Sequence, residues 1–321
     1  MVDPGWSRTE SPFHAGELAI QARLGIRDPM DRQGRRMIRE YLTAQHQQFF
    51  AQLSYVIVGT VDKFGNLWTS ILVGKPGFLT AIGDRILQIN AEPLLGDPLA
   101  KNLAAGVNLG LLGIELSNRR RNRINGIVGA IAADGFEVSV RQSFGNCPQY
   151  IQARTSEYVK MPDNSQQIAE ISFFGELESN LIASADTFFI STAYLDKSAG
   201  NARGIDVSHR GGKSGFVRID NRQTLTIPDF SGNNFFNTLG NIELNPATGL
   251  LFVDFIRGDL LYLTGKAEII WSRTEVDRYI GAQQLIRFRL DRGYLVKASL
   301  NLRWSNPEFS PLLKRTGSWS E

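Results

Sequence analysis

The residues best suited to bind an anion lie in one stretch, 206–218, which reads Asp-Val-Ser-His-Arg-Gly-Gly-Lys-Ser-Gly-Phe-Val-Arg. Glycine lets the backbone approach a ligand closely, and the charged groups of Arg210 and Lys213 can neutralise and hydrogen-bond a terminal phosphate. Alternating strand-like residues flank the stretch. We interpret it as a phosphate-binding loop between β-strands. The alternative is a solvated, positively charged hairpin loop, because short motifs also match by chance.

The composition is typical of a soluble globular protein with room for about two domains. Of the 321 residues, 42% are hydrophobic and 21% charged, and the net charge is +3. This small excess of positive over negative charge is not that of a dedicated nucleic-acid-binding protein. The single cysteine, Cys147, excludes an internal disulfide and a cysteine-based metal site within one chain, and it favours a cytoplasmic location. We see no signal peptide and no apolar run of membrane-spanning length, and therefore expect no membrane partner.

The first 52 residues predict an N-terminal helical arm. A short helical run covers 17–24, and a second helix is expected over about 31–52. We interpret His14 as a surface or capping residue and His46 as a buried core histidine. With His209 these are the three histidines of the chain, so we expect no metal site.

Alternating apolar residues then predict strands over 54–61 and 67–73, joined by a turn. A later run, 118–123, reads Asn-Arg-Arg-Arg-Asn-Arg and joins two predicted strands. Clustered guanidinium groups bind phosphates, but no aromatic stacking platform accompanies this run. We therefore interpret it as a solvated turn or as an anion contact for a bound nucleotide, and we do not expect nucleic-acid binding.

The second half of the sequence repeats the first. Residues 75–79 align with 213–217, and 87–89 with 225–227 at the same shift. Upstream, 58–61 align with 190–193 at a slightly smaller shift. The matched positions differ in chemistry, because Ser208-His-Arg210 corresponds to Ser70-Ile-Leu72. We therefore expect the second copy to keep most of the anion-binding chemistry.

The fold class expected from this repeat is mainly β with a few helices, built as two small β-barrels in tandem that form an internal pseudo-dimer. The predicted divisions are the N-terminal arm and helix (1–52), the first barrel (53–140), a connection (141–180) that ends in a helix over 175–185, the second barrel (181–275), and a C-terminal helix and tail (276–321).

Residues 185–275 resemble the pyridoxamine 5′-phosphate oxidase-related FMN-binding split-barrel family. The resemblance rests on the basic glycine loop between strands, Asn245-Pro246, the apolar strand 249–255, Arg257-Gly258 and the segment 261–268. Residues 50–130 resemble the family more weakly. The ending 300–305 is similar to that of the two-barrel branch of flavin-nucleotide-binding proteins.

The resemblance implies two split barrels and non-covalent FMN in the cleft between them. Ser208, Arg210 and Lys213 would take the phosphate, and Arg121 and Arg123 would close the cleft from the first barrel. The full set of cofactor-binding residues that we predict is Ser208, His209, Arg210, Lys213, Gly215, Phe216, Arg218, Pro228, Asp229, Phe230, Asn233, Asn237, Thr238, Asn241, Arg121 and Arg123. Several have a structural alternative: Arg218 as a strand-surface charge, Asp229 as a turn former, and Asn237 and Asn241 as helix caps.

The function implied is that of a flavin-dependent oxidoreductase acting with a small-molecule redox substrate or electron donor. The arginine strand motif and the substrate-binding ending of the vitamin B6 oxidase are not found at matched positions, so that particular reaction is not expected. The alternative is a non-catalytic binding or sensing protein with another anionic ligand, since the fold also hosts proteins with haem, deazaflavin or no cofactor. No residue stands out as a general acid or base, and a homodimer is compatible with the sequence.

Overall fold

The computed structural model describes residues 5–160 and 166–319, and more of these residues lie in β-strands than in helices. The α-helices are α1 (Ala15–Arg23), α2 (Arg27–Met37), α3 (Ala44–Ala51), α4 (Leu99–Asn102), α5 (Glu176–Ser184), α6 (Asn237–Leu244) and α7 (Arg273–Val276). The strands of the first half are β1 (Tyr55–Val61), β2 (Leu67–Val73), β3 (Leu79–Ile82), β4 (Ile86–Ile89), β5 (Asn108–Glu115), β6 (Arg120–Ala132), β7 (Gly135–Gly145), β8 (Ser156–Tyr158) and β9 (Gln167–Ile171). Those of the second half are β10 (Thr187–Tyr194), β11 (Gly204–Gly211), β12 (Arg218–Asn221), β13 (Thr224–Phe230), β14 (Ala247–Val253), β15 (Leu260–Ile270), β16 (Ala282–Lys297) and β17 (Leu302–Trp304).

Two antiparallel sheets share one strand order. The first runs β2-β1-β5-β6-β7-β4-β3 and the second β11-β10-β14-β15-β16-β13-β12, with β9 added to β16. Each strand of the first sheet thus has a counterpart nine strands later. Backbone pairing within the described residues leaves β2 and β3, and likewise β11 and β12, as sheet ends, so neither ladder closes into a barrel.

The register of the strands confirms the alignment of the two halves. Val58 pairs with Ser70, and Ile190 pairs with Ser208. In the next hairpins Ala81 pairs with Leu87, and Ile219 with Leu225. Below, two residues are said to correspond when they hold the same register position in the two sheets.

The two sheets approach each other closely at corresponding glycines. A Cβ on Gly110 of β5 would lie 2.1 Å from the carbonyl oxygen of Ile205, and one on Gly249 of β14 would lie 2.8 Å from that of Leu67. Gly110 corresponds to Gly249 and Leu67 to Ile205. The contact between the two sheets is therefore reciprocal.

The three largest apolar clusters fill this arrangement. One lies within the first sheet and is covered by α3, and one lies within the second sheet beside α1, α5 and α6. The third lies between the sheets and takes side chains from both, including Trp68, Phe189 and Tyr262. Burial of this shared core holds the two halves together.

The N-terminal arm differs in part from the prediction. The expected helix over 31–52 is two helices, because Ile38 turns to extended backbone and Arg39 pairs with Ser143 on β7. Thr43 then caps α3 through its side chain. His46 is buried, as predicted. His14 does cap α1, but it is buried rather than on the surface.

Three further predictions were wrong. The C-terminal helix expected within 276–321 is instead the 16-residue strand β16, whose residues 286–290 alternate between buried and less buried positions, the pattern of a strand. The second sheet therefore extends beyond residue 275. Arg120 to Arg123 lie in β6 rather than in a turn, and Ser208 to Arg210 lie in β11 rather than in a loop.

The helix predicted over 175–185 is confirmed as α5. Residues 161–165 of the predicted connection lie outside the described residues. No helix in the described ranges is long and apolar enough to cross a membrane.

Candidate functional site

A cluster of cationic side chains lies where β6 of the first sheet meets β11 and the start of α6. Successive side chains of a strand point to opposite faces, so Arg121 and Arg123 share one face of β6. That face is turned toward the second sheet, since Arg123 contacts Ser208 of β11 and Asn237 of α6. The repeat thus brings residues from both halves into one cleft.

Arg123 is the centre of this cluster and is almost fully buried. Its Nη1 donates to Asn237 Oδ1 at 2.9 Å, and its Nη2 donates to Ser208 Oγ. Ser208 is also 2.8 Å from the hydroxyl of Thr238. Arg123 Nε has no hydrogen-bond partner within the described chain. Burial lowers the pKa of Arg123 to about 10, although Asp206, 3.8 Å away, opposes this shift.

Arg121 and His209 form the next part of the cleft. Arg121 Nε donates to the carbonyl of Cys147 at 2.8 Å, and its Nη1 lies 3.4 Å from His209 Nδ1. Burial, followed by the charges of Arg123 and Arg210, lowers the pKa of Arg121 to about 9. Burial and the neighbouring Arg121 hold the pKa of His209 well below its usual range. His209 is therefore neutral at physiological pH, and its Nε2 lacks a partner within the described chain.

Arg210 lies on the open side of the cleft and pairs with a buried carboxylate. Its Nη2 is 3.0 Å from Asp229 Oδ1, while its Nε has no partner within the described chain. Gln284 donates to the other oxygen of Asp229. Burial raises the pKa of Asp229, and Arg210 opposes that shift.

The N-terminal arm contributes Glu17 and His14 to the hydrogen-bond network around the cleft. Asn237 Nδ2 and the backbone amide of His14 both donate to the carboxyl group of Glu17. His14 Nε2 is 2.8 Å from Asn241 Oδ1, and Asn241 donates to Asp206 at 2.8 Å. Burial and the nearby Asp206 raise the pKa of Glu17 well above its usual range.

Sequence reasoning missed Glu17, His14 and Asp206 as parts of this network. A capping box at 14–17 and the acidic start of 206–218 were visible signals of a helix start and a polar strand. Neither signal points to a partner more than 200 residues away, such as Asn237 for Glu17.

Two small cavities open beside the arginines. One, of about 50 Å³, is lined by Arg121, His209, Arg210 and Tyr150, among others, and the other, of about 60 Å³, by Arg123, Arg210, Asn237 and Thr238. Phe230 and Gly232 border both. Each volume suits a group of the size of a phosphate, and both fall below the roughly 300 Å³ typical of sites for larger ligands.

The structure brings most of the predicted residues together and leaves a few apart. In or beside the cleft lie Arg121, Arg123, Ser208, His209, Arg210, Pro228, Asp229, Phe230, Asn233, Asn237 and Thr238. Asn241 does not line either cavity, and it hydrogen-bonds to Asp206. Phe216 borders the first cavity, but it mainly stacks on Phe188 in the core.

Lys213, Gly215 and Arg218 do not line the two cavities, so the structure does not bring these three residues together with the others. Lys213 follows the end of β11, and its Nζ donates to the carbonyl of Thr316 at 2.7 Å. Gly215 is exposed in the same loop. Arg218 pairs with Asp220 at 2.6 Å and stacks over Trp319. The strand β11 ends at Gly211, which separates Arg210 from these later residues.

The donor set fits the phosphate end of FMN. Three nitrogens that have no partner within 5–160 and 166–319, on Arg123, Arg210 and His209, lie beside hydroxyl groups in a cationic cleft. A phosphate oxygen accepts from such donors. The isoalloxazine ring needs more space than the two cavities offer. The segment 231–236 borders both cavities and holds Asn234 and Phe236 at φ 61° and 62°, a region costly for residues other than glycine.

No protein-family model matches the sequence, and no curated protein matches it. Solved structures that are similar over part of the chain include HupZ of Group A Streptococcus, with 15% identity over 36% of this chain and 89% of that one, and a TM-score of 0.29. A pyridoxamine 5′-phosphate oxidase-like protein of Lactobacillus delbrueckii shares 11% identity over 38% of this chain and 94% of its own, with a TM-score of 0.29. One of Corynebacterium glutamicum shares 13% identity over 43% of this chain and 98% of its own, with the same TM-score. Each of these three structures is similar to less than half of this chain.

Proposed function

We propose that this protein binds FMN non-covalently in the cleft between its two sheets and acts as a flavin-dependent oxidoreductase on a small-molecule substrate or electron donor. The observation that carries the proposal is a set of buried nitrogen atoms on Arg123, Arg210 and His209 for which the described part of the chain offers no hydrogen-bond partner. A buried polar atom without a partner costs about 1–3 kcal/mol. An anion that accepts from these atoms would remove that cost.

The architecture that would hold the flavin is a pseudo-dimer of two split barrels. Its support is the shared strand order together with the reciprocal approach of Gly110 to Ile205 and of Gly249 to Leu67. An interface of this kind has two related clefts, and we assign the flavin to the one lined by Arg121 and Arg123. A cytoplasmic location is part of the same proposal.

Each residue of the cleft has a distinct role in this proposal. Arg123, Ser208 and Thr238 would hold the phosphate, and Arg210 would add a second charge. Neutral His209 would hydrogen-bond the phosphate or the ribityl chain without adding charge. The segment 231–236 would move aside to admit the ring. When bound, the flavin would supply hydride or electron transfer, while the protein would supply position and electrostatics.

The test is a calorimetric titration of the protein with FMN, riboflavin and inorganic phosphate. We expect FMN to bind, riboflavin to bind at least tenfold more weakly because it lacks the phosphate, and inorganic phosphate to compete with FMN. Equal affinity for FMN and riboflavin would contradict the role assigned to the arginines.

The small volume of the cavities, about 50 and 60 Å³, favours one second candidate, a binding or sensing protein for a small anion. In the same titration this candidate predicts that inorganic phosphate binds and that neither flavin does.

A further inference from the structure

The cationic cleft has a counterpart on the other side of the molecule. Leu111 pairs with Val58 on one side and with Ile124 on the other. Leu250 pairs in the same way with Ile190 and with Leu263. From this register Tyr262 corresponds to Arg123. Across the next pairing, Phe144 lies opposite Arg123 and Tyr294 lies opposite Tyr262. Tyr294 therefore corresponds to Phe144.

The two corresponding regions are filled differently. Phe144 is covered by Trp6, Phe13 and Ile38 of the N-terminal arm, together with Phe235. Beside Tyr294 the corresponding region is an open cleft of about 530 Å³. This volume is within the roughly 300–1,000 Å³ that small-molecule sites span.

The wall of the open cleft is aromatic. Trp68 and Tyr294 stack with ring centroids 5.5 Å apart and planes at 30°. Arg292 lies over the Trp68 ring at 5.5 Å and pairs with Asp62 at 2.9 Å. These contacts hold the side chains of Trp68 and Arg292 in place along the cleft, and Tyr294 remains partly exposed. Phe64, which is 72% exposed, stands at the edge of the cleft.

The charges at the edge are mainly positive. Lys63 and Lys101 line the cleft and are exposed. Asp97, at its base, is buried and already accepts from Ser70 at 2.5 Å, from Tyr262 at 3.1 Å and from the Leu99 amide at 2.8 Å. The available polar chemistry at the edge is therefore that of the two ammonium groups.

We propose that this cleft is a second ligand site, which binds a planar aromatic anion. The ring would stack against Tyr294 and Phe64, since aromatic faces favour stacked or edge contacts. The anionic group would lie between Lys63 and Lys101. The site is separate from the cleft proposed for FMN and does not depend on it.

The test uses calorimetry with 2-naphthoate and its uncharged analogue 2-naphthamide on the full-length protein. We expect naphthoate to bind with one-to-one stoichiometry and naphthamide to bind at least tenfold more weakly. The double variant Lys63→Ala/Lys101→Ala should weaken naphthoate binding at least tenfold, and Tyr294→Ala should weaken both ligands. A matched double variant of exposed lysines elsewhere, Lys75→Ala/Lys160→Ala, should leave binding unchanged.

Three results would overturn the proposal: no saturable binding of naphthoate, equal binding of naphthamide, or equal loss in the two double-lysine variants. Thermal unfolding of each variant, compared with the unaltered protein, confirms that the fold is kept. Exposed lysines are expected to be replaced without loss of stability.

Discussion

Arg210 and Lys213 are three residues apart and both cationic, yet the structure places only Arg210 in the cleft. We predict that Arg210→Gln weakens FMN binding about 10- to 150-fold. This range follows from losing one charge-assisted hydrogen bond, worth about 1.5–3 kcal/mol, at about 1.4 kcal/mol per tenfold change in Kd. Glutamine can still donate to Asp229, which lies 3.0 Å from Arg210, so the variant should fold.

Lys213→Gln is the matched control, because it also removes one positive charge. Its ammonium donates to Thr316, outside the cleft, so its loss removes no hydrogen bond to the bound phosphate. We expect less than a twofold change in Kd. The assay is quenching of FMN fluorescence on titration, with circular dichroism as the check on folding. Equal weakening by both variants, or none by Arg210→Gln, would refute the reasoning.

Three other variants test the supports of the site and the fold. Glu17→Ala should lower the free energy of unfolding by about 1–3 kcal/mol, because it leaves the buried Asn237 amide without its acceptor, and it should weaken FMN binding. Glu17→Gln keeps one oxygen that can accept from Asn237 and should lose less on both counts, and equal denaturation midpoints for the two variants would contradict this role. Burial raises the pKa of Asp97 to about 6 from an ordinary 3.8, so the folded state holds the proton more tightly and its stability falls as the pH rises from about 4 to about 6. Between these pH values the free energy of unfolding of the unaltered protein, measured in urea, should fall by up to about 3 kcal/mol relative to that of Asp97→Asn. Parallel pH profiles of stability for the two proteins would exclude the pKa shift. Gly110→Ala places a Cβ 2.1 Å from a backbone oxygen of the other sheet and should lower the free energy of unfolding by about 1–3 kcal/mol or more. In the control Gly129→Ala the new Cβ has no neighbour nearer than 3.4 Å within the described residues, so it should lower stability less. Equal melting temperatures of the two variants would argue against close packing of the sheets.

Much of the fold could be read from the sequence because its signals are local. The alternation in 54–61 and 67–73 gave β1 and β2 nearly to the residue, and the repeat gave the correct register of Ser70 and Ser208. The strand β16 was missed although residues 286–290 alternate, because it lies beyond the residues that align between the two halves. The break at Ile38 was missed because it depends on the pairing of Arg39 with a distant strand.

The site was predictable in its chemistry but not in its geometry. Ser208 and Arg210 were visible as residues of anion-binding types, and a strand at this position aims Ser208 at Arg123. Whether Arg210 or Lys213 faces the cleft depends on where β11 ends, which composition does not encode. The partnership of Glu17 with Asn237 joins residues 220 positions apart, and only the packed fold brings them together.

The most direct test of the central proposal is the visible absorption spectrum of the purified protein, combined with mass-spectrometric identification of whatever denaturation releases and a titration with added FMN. We predict the two visible bands of a flavin and release of FMN, or saturable FMN binding if the protein is purified without it. A colourless protein that fails to bind added FMN would contradict the proposal and leave the binding of a smaller anion as the function to pursue.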